Sequence, residues 1–136
     1  MTNATTATRT DRDQLTARSP VGDLMSHPVV TADPGQSLAT AADAMVLAGV
    51  GSVVVVGDPG RPIGILTERD LVRSSAAGAE ARTTTVAEWM TAAPDVVGPE
   101  TTVDEAVDLL ARRGYRHVPV VDDDTLVGIV SMRDLL

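Results

Sequence analysis

The chain repeats itself, and this duplication constrains its fold more than any other feature of the sequence. Shifting residues 21–53 by 65 positions places them on residues 86–118 with matching residue types. After the next turn the shift becomes 64, so that Gly64–Asp70 falls on Gly128–Asp134. Self-similarity at a fixed period marks a repeated structural unit, so two copies of one unit of about 60 residues are predicted.

Both copies carry the apolar spacing of an amphipathic helix, which is i, i+3, i+4, i+7 and i+8. The positions are Leu38, Ala41, Ala42, Met45 and Val46 in copy one, and Val103, Ala106, Val107, Leu110 and Ala111 in copy two. Ser37 and Thr102 precede these helices as expected N-caps, and Glu105 completes a capping box. Gly49 and Gly114 follow them, where a residue with positive φ ends a helix.

An unbroken apolar run follows each helix and predicts a buried strand. These runs are Val53–Val56 in copy one and Val118–Val121 in copy two. A turn, with Asp122–Asp124 in copy two, then leads to a second strand at 63–67 or 126–131 and to a short closing helix. Each copy is therefore expected to read β-α-β-β-α.

The predicted fold class is α/β (α+β), with the two repeats packed sheet to sheet about a pseudo-two-fold axis. A unit of about 60 residues buries too little apolar surface to be secure alone, so the copies should associate and leave equivalent clefts at their seam. The expected organisation is a disordered tail over 1–18, repeat one over 19–76, a linker over 77–85, and repeat two over 86–136. The closing helix of repeat two is expected to be truncated, because the sequence stops at Leu136.

Charge and composition narrow the function classes. All 11 basic residues are arginines, against 19 acidic residues, for a net charge of −8, so nucleic acid is not an expected partner. The absence of cysteine suits a reducing compartment and predicts a cytoplasmic protein. Neither a signal peptide at Met1–Thr6 nor an uninterrupted apolar run long enough for a bilayer is present, so no membrane partner is expected.

Catalytic motifs find no support in this sequence, and a non-enzymatic protein is predicted. A phosphate-binding P-loop requires lysine, which the chain lacks. The two histidines, His27 and His117, lie in different copies and suggest neither a catalytic triad nor a metal site. No catalytic and no metal-ligating residue is therefore assigned.

The closing motif of each copy places a hydroxyl three residues before an aspartate at the start of a helix. Thr67 and Asp70 form this pair in copy one, and Ser131 and Asp134 form it in copy two. The same spacing is that of an ordinary capping box, and it also suits a polyol or an anion. Its recurrence in both copies favours a ligand role, and both roles can hold together.

These residues resemble those of a tandem cystathionine β-synthase (CBS) domain pair, also called a Bateman module. The resemblance is carried by Val-Gly-Asp-Leu-Met and Val-Ala-Glu-Trp-Met at the openings, by the valine-rich central strands, and by the two closing motifs. It extends over about residues 20–136. It implies a stand-alone regulatory module that binds AMP, ADP, ATP or another adenosyl ligand, such as S-adenosylmethionine or NAD, in the inter-repeat clefts. It further implies a homodimer of pairs and an effector protein of unknown identity.

The resemblance also assigns roles at the closing motifs. Asp70 and Asp134 would accept hydrogen bonds from ribose hydroxyls, and Thr67 and Ser131 would contact ribose or phosphate. Arg69 and Arg133 fall where relatives place a further phosphate-facing cation. The truncated second copy makes Asp70 the preferred ribose anchor.

The start of each central strand carries the remaining implied contacts. Arg116 and His117 would hold phosphate, as basic residues at this position do in the γ subunit of AMP-activated protein kinase. The backbone near Ser52–Val53 and His117–Val118 would meet the adenine edge. Copy one has Gly51 and Ser52 in place of the cations, so the two sites should differ, and phosphate binding should depend on Arg116.

Two alternatives remain open from the sequence. His117 suits a partly buried, hydrogen-bonded histidine as well as it suits a phosphate ligand. The whole chain could instead be a dimerisation or protein-interaction scaffold with empty clefts. Among the other residues, Arg112 and Arg113 are expected on a solvated helix face, and Trp89 is expected to be a packing anchor.

Overall fold

The computed structural model describes residues 18–135, so the predicted tail lies outside this range except for Arg18. Its helices are a 3-10 turn (Val21–Asp23), α1 (Leu38–Ala48), α2 (Glu68–Ala76), α3 (Val86–Trp89), α4 (Val103–Arg113) and α5 (Met132–Leu135). Its strands are β1 (Thr31–Ala32), β2 (Ser52–Gly57), β3 (Arg61–Thr67), β4 (Thr91–Ala92), β5 (His117–Asp122) and β6 (Thr125–Ser131). The mixed α/β class with two repeated units is confirmed.

The long helices begin and end at the predicted residues. Ser37 Oγ accepts a hydrogen bond of 3.1 Å from the Thr40 N–H at the start of α1. Thr102 and Glu105 form the expected capping box on α4. Gly49 and Gly114 end the two helices with φ of 69° and 71°, a conformation that glycine adopts without the steric cost of a Cβ.

Helix α1 buries a narrower stripe than its spacing predicts. Leu38, Ala41 and Met45 are buried, but Val46 is 78% exposed and its neighbour Leu47 is 81% exposed. The prediction was therefore wrong for Val46. Leu47, on the outer side of α1, is an apolar residue that the described part of the chain does not cover.

Two hairpins form the centre of the molecule. β2 pairs antiparallel with β3, and β5 pairs antiparallel with β6, each with a register shift near the turn. The turn of the second hairpin places Asp123 and Asp124 at positive φ, which agrees with the predicted aspartate-rich turn. The first sheet has the order β1-β2-β3-β4.

The opening segments of the two copies are exchanged. β4 lies at the opening of copy two, yet it pairs with β3 of copy one, with Ile65 opposite Thr91. In the same way, Ser26 of copy one bridges to Ile129 of copy two. Each opening segment therefore adds to the sheet of the other copy.

The two hydrophobic cores follow the same exchange. Val86 of copy two is fully buried in the core of copy one, together with Leu38, Val53 and Leu66. Trp89 packs against that core, which confirms it as a packing residue. Val21 of copy one is fully buried in the core of copy two. Neither core is complete without residues from the other copy.

The exchange explains why glycine opens both closing motifs. A Cβ at Gly64 would collide with Met90 Sδ and would lie 3.1 Å from the Thr91 carbonyl oxygen. A Cβ at Gly128 would collide with Met25 Sδ and would lie 3.0 Å from Met25 Cβ. The glycines admit the opening segment of the other copy, and the paired methionines fill the space that remains.

Replacing Gly128 by alanine should lower the free energy of unfolding by about 1–3 kcal/mol, the usual cost of overpacking. Met25 Cβ cannot rotate away from the added methyl group, because it is attached directly to the backbone. Urea denaturation of Gly128→Ala and of a control, Gly35→Ala, would measure this. Gly35 has open space around it, so its variant should stay close to wild type, and equal stabilities of the two variants would contradict the packing explanation.

No helix within residues 18–135 is both long enough and apolar enough to cross a membrane.

Candidate functional site

A continuous cavity of about 1330 Å³ runs along the seam between the two copies. Its wall contains the ends of both hairpins, the starts of α2 and α5, the end of α1 and parts of both opening segments. The sequence predicted two clefts, and the structure joins them into one space. This volume exceeds the 300–1000 Å³ typical of small-molecule sites.

Strand register brings the predicted polar residues of each copy to one edge. Ser52 lies opposite Thr67 across the first hairpin, and His117 lies opposite Ser131 across the second. Backbone hydrogen bonds fix the next residues, because the Glu68 N–H donates to the Gly51 carbonyl over 3.0 Å. The start of each central strand is thereby tied to the start of each closing helix.

Asp70 is held rigidly at this edge. Only 6% of its surface is exposed, and Oδ2 accepts hydrogen bonds from the Thr67 N–H (2.9 Å) and the Thr67 hydroxyl (3.0 Å). Its other oxygen, Oδ1, lies 3.9 Å from Arg73 Nη1, whose side chain is largely exposed. The capping role is therefore present, and Oδ1 keeps lone pairs available to a further donor.

Asp134 repeats this arrangement with one difference. Oδ2 accepts a 3.0 Å hydrogen bond from the Ser131 N–H, and Ser131 Oγ accepts a 3.2 Å bond from the Asp134 N–H. Within residues 18–135, the Ser131 hydroxyl has no hydrogen bond to the carboxylate like the one that Thr67 makes. Copy two therefore offers a half-buried carboxylate with a hydroxyl donor beside it.

The four basic residues that the sequence predicted to face phosphate line the cavity. Arg69, Arg116 and Arg133 are exposed residues, and His117 is half-buried. No carboxylate of residues 18–135 forms a salt bridge with any of the three arginines. Guanidinium groups that are not paired with a carboxylate can form bidentate hydrogen bonds to a phosphate.

His117 Nδ1 is buried and has no hydrogen-bond partner among the described residues. Burial lowers the pKa of His117 below its ordinary value, the carboxylate of Asp134 opposes this shift, and nearby Arg116 reinforces it. The carboxylate of Glu68, from the other copy, also favours the protonated form. The sequence left two interpretations open, a partly buried, hydrogen-bonded histidine and a phosphate ligand. His117 is partly buried, but its Nδ1 has no hydrogen bond within residues 18–135, and the phosphate role stays a prediction.

The lowered pKa of His117 should make folding stability depend on pH. The unfolded chain takes up a proton as pH falls through the ordinary value of 6.5, whereas the folded protein resists protonation until a lower pH. The unfolded state then binds more protons, so stability should fall on acidification through this window. Urea denaturation at pH 7.5 and 5.5 should show a smaller loss for His117→Asn than for wild type.

The other histidine supplies the control for this experiment. His27 is exposed and does not line the cavity, so His27→Asn removes an imidazole that the seam does not bury. It should leave the loss of stability between the two pH values as in wild type. An unchanged pH dependence in His117→Asn would contradict the burial argument.

Nine of the eleven residues predicted to bind ligand line the cavity. They are Ser52, Thr67, Arg69, Asp70, Arg116, His117, Ser131, Arg133 and Asp134. Val53 and Val118 do not line it, because their side chains are fully buried in the two cores. Any ligand contact near these two residues is confined to backbone beside Ser52 and His117.

The sequence did not predict the contribution of the opening segments. Ser26, Pro28 and Thr91 line the cavity from segments that had been assigned only to the start of each copy. The residue types in these opening segments do not indicate that they line a cavity. The exchange of segments, which brings them to the seam, is a tertiary feature.

Arg113 has a structural contact that the sequence did not indicate. Its Nε donates a 2.8 Å hydrogen bond to Asp95, and its guanidinium lies 5.4 Å from the centre of the Tyr115 ring. Asp95 and Tyr115 both line the cavity. Arg113 therefore fixes one wall, whereas Arg112 pairs with Asp108 on the exposed helix face, in agreement with its prediction.

Comparison with known proteins gives a consistent result. The family model described as CBS domain matches residues 21–77 and 86–136. An uncharacterized protein of Methanopyrus kandleri is 37% identical over 118 residues, which cover 85% of this chain and 60% of that protein. The chain thus spans less than two thirds of that relative. The CBS domain-containing protein YhcV of Bacillus subtilis is 36% identical over 118 residues, 86% of this chain and 83% of its own length.

A solved structure is also similar. The CBS domain pair of protein MJ0100, in complex with 5′-methylthioadenosine and S-adenosyl-L-methionine, superposes with a TM-score of 0.79 at 28% identity. The superposition covers 86% of this chain and 92% of that chain.

Proposed function

The chain belongs to the CBS domain family, and we propose that it is a regulatory, non-enzymatic CBS pair that binds an adenine nucleotide or another adenosyl ligand in the cavity at its seam. One observation carries the proposal. The two hydroxyl–aspartate pairs, together with Arg116 and His117, line one cavity although they are distant in the sequence. Binding would favour one arrangement of the two copies and so alter contacts with an effector protein.

The chemistry of an adenosyl ligand suits these groups. The two hydroxyls of a ribose are donors, and a carboxylate oxygen such as Asp70 Oδ1 accepts them in charge-assisted hydrogen bonds. A phosphate needs permanently charged donors, and Arg116 supplies one beside His117. The adenine ring would lie on the apolar part of the wall, which includes Ile65 and Ile129.

The solved pair with 5′-methylthioadenosine and S-adenosyl-L-methionine supports an adenosyl ligand in general. It leaves AMP, ADP, ATP, NAD and S-adenosylmethionine as the probes to compare. A ligand that binds only the folded state raises the melting temperature, by an amount that grows with its concentration above the Kd. At least one of the five should raise it at millimolar concentration. No shift with any of them would overturn the ligand proposal.

A homodimer is the second part of the proposal, and the outer side of α1 supports it. Leu47 is 81% exposed there, and Val72 on α2 is 68% exposed. Large exposed apolar side chains can mark a contact surface. Light scattering after gel filtration should give twice the chain mass, and Leu47→Asp should reduce it to one. A monomeric wild type would contradict this part alone.

The same surface also suits one alternative function, a protein-interaction scaffold with no ligand. The two functions differ in a simple observable. A scaffold would dimerise or bind its partner, and none of the five probes would raise its melting temperature.

A further inference from the structure

Three side chains of copy two are locked together at one end of the cavity. Arg113 Nε donates a 2.8 Å hydrogen bond to Asp95 Oδ2, and Arg113 Nη2 donates to the Tyr115 hydroxyl over 3.3 Å. The same guanidinium lies 5.4 Å from the centre of the Tyr115 ring, which is within the range of a cation–π contact. Because Asp95 and Tyr115 line the cavity, this clamp of three residues fixes an aromatic ring and a charged pair in its wall.

The clamp replaces a backbone hydrogen bond that copy two cannot form. In copy one the Val54 N–H donates to the Val30 carbonyl over 3.0 Å and so holds the segment before β1. The shift of 65 positions matches Val54 with Pro119 and Val30 with Asp95. Proline has no N–H to donate. Arg113 therefore holds this segment of copy two through the side chain of Asp95 instead.

Copy one has no clamp at the matched positions. Ala48, Val50 and Val30 stand there in place of Arg113, Tyr115 and Asp95. None of the three has a side chain that can form a hydrogen bond. The space that the clamp occupies in copy two is left open, and the cavity continues over α1, with Ala42, Met45 and Val46 in its wall. The matched residues of α4 do not line the cavity; they are Val107, Leu110 and Ala111.

The open end of the cavity is an apolar pocket beside a ribose-sized polar group. Val46 is 78% exposed and Val50 is 38% exposed, and both line the cavity. Aliphatic side chains in a concave wall suit the apolar part of a ligand. Val50 precedes Ser52 by two residues, and Ser52 lies opposite Thr67, the N-cap of the helix that carries Asp70. A purine in this pocket would therefore lie close to the carboxylate proposed to accept its ribose.

We propose that the clamp excludes a purine from the copy-two end of the cavity, so that each chain binds one AMP, with the purine against Val46 and Val50 and the ribose at Asp70. This inference rests on the proposed function of the cavity. A purine at the copy-two end would have to displace the Tyr115 ring and break hydrogen bonds of the Arg113 guanidinium. It would also place the Asp95 carboxylate beside an apolar ring without its partner, which is unfavourable. The copy-one end carries no such cost.

Calorimetry with AMP on the full chain tests the stoichiometry. Wild type should bind one AMP per chain. The triple variant Asp95→Val/Arg113→Ala/Tyr115→Val, which gives copy two the residues of copy one, should bind a second AMP. Arg112→Ala is the control, because Arg112 lies next to the clamp but pairs with Asp108 on the exposed helix face, and this variant should still bind one.

The reverse substitution tests the open end. Ala48 and Val50 are both exposed, so Ala48→Arg/Val50→Tyr changes the cavity wall without entering the core. These two side chains would fill the pocket as Arg113 and Tyr115 fill the matched space, and AMP binding should be lost. Urea denaturation of each variant shows whether it folds.

Nuclear Overhauser effects in the wild-type complex test the same proposal without any substitution. Tyr115 is the only tyrosine of the chain, so its ring protons can be assigned directly. The purine H2 and H8 protons of bound AMP should show contacts to the Val50 methyl groups and none to the Tyr115 ring. These spectra decide the question if the triple variant does not fold.

Three results would overturn this inference while the ligand function stands. They are two AMP molecules bound per wild-type chain, a single AMP bound by a folded triple variant, and an Overhauser contact between the purine and the Tyr115 ring. A complete lack of AMP binding would also overturn it. The proposed function would then be overturned as well only if the other four probes left the melting temperature unchanged.

Discussion

Residues 18–80, produced without the rest of the chain, should fail to fold cooperatively even though they contain the whole of repeat one. This segment lacks Val86, which is fully buried in the core of copy one, and lacks β4, the edge strand beside β3. It also loses backbone hydrogen bonds such as the one from the Leu38 N–H to the Thr84 carbonyl (2.9 Å). Burial of one valine contributes about 1.5–3 kcal/mol, a large part of the stability of a unit this small.

The control is a segment of similar length in a shifted frame. Residues 27–95 keep all four strands of the first sheet together with Val86, Trp89 and Met90. They omit Val21, which packs in the other core. Circular dichroism during urea titration should show a cooperative transition for 27–95 and a gradual change for 18–80. A cooperative transition of equal midpoint in both segments would contradict the exchange.

The helices could be predicted from the sequence, but the exchange of opening segments could not. Helical spacing, N-caps and terminal glycines are local signals, so α1 and α4 could be predicted with their ends. The repeat placed Val21 and Met25 in the opening segment of copy one. The sequence could not show which core these residues join, because both cores are built from the same aliphatic residue types.

Many of the residues that line the cavity could also be predicted from local signals. The closing motifs and the strand starts lie near each other across a hairpin, so the residues flanking Ser52 and His117 could be placed together from local order alone. The contacts between Arg113 and Asp95 and between Gly128 and Met25 join distant parts of the chain. A single sequence contains no periodic signal for such contacts, since they depend on how the copies pack.

Asp70→Ala should weaken the binding of AMP at least 10-fold, and it should also destabilise the protein. The carboxylate has two roles in the structure, because Oδ2 caps α2 through Thr67 while Oδ1 is available at the cavity wall. Loss of one hydrogen bond to a charged group costs about 1.5–3 kcal/mol, which corresponds to roughly 10- to 100-fold in affinity. Loss of the cap costs about 1 kcal/mol in stability.

Glu105→Ala separates these two roles. Glu105 accepts a 2.9 Å hydrogen bond from the Thr102 N–H in a capping box of the same form on α4, and it does not line the cavity. Its replacement should lower the free energy of unfolding by a similar amount while leaving the affinity for AMP as in wild type. Calorimetry and urea denaturation on both variants would provide the comparison. If Asp70→Ala lost only stability, as Glu105→Ala should, Asp70 would be a helix cap and the ribose would bind elsewhere in the cavity.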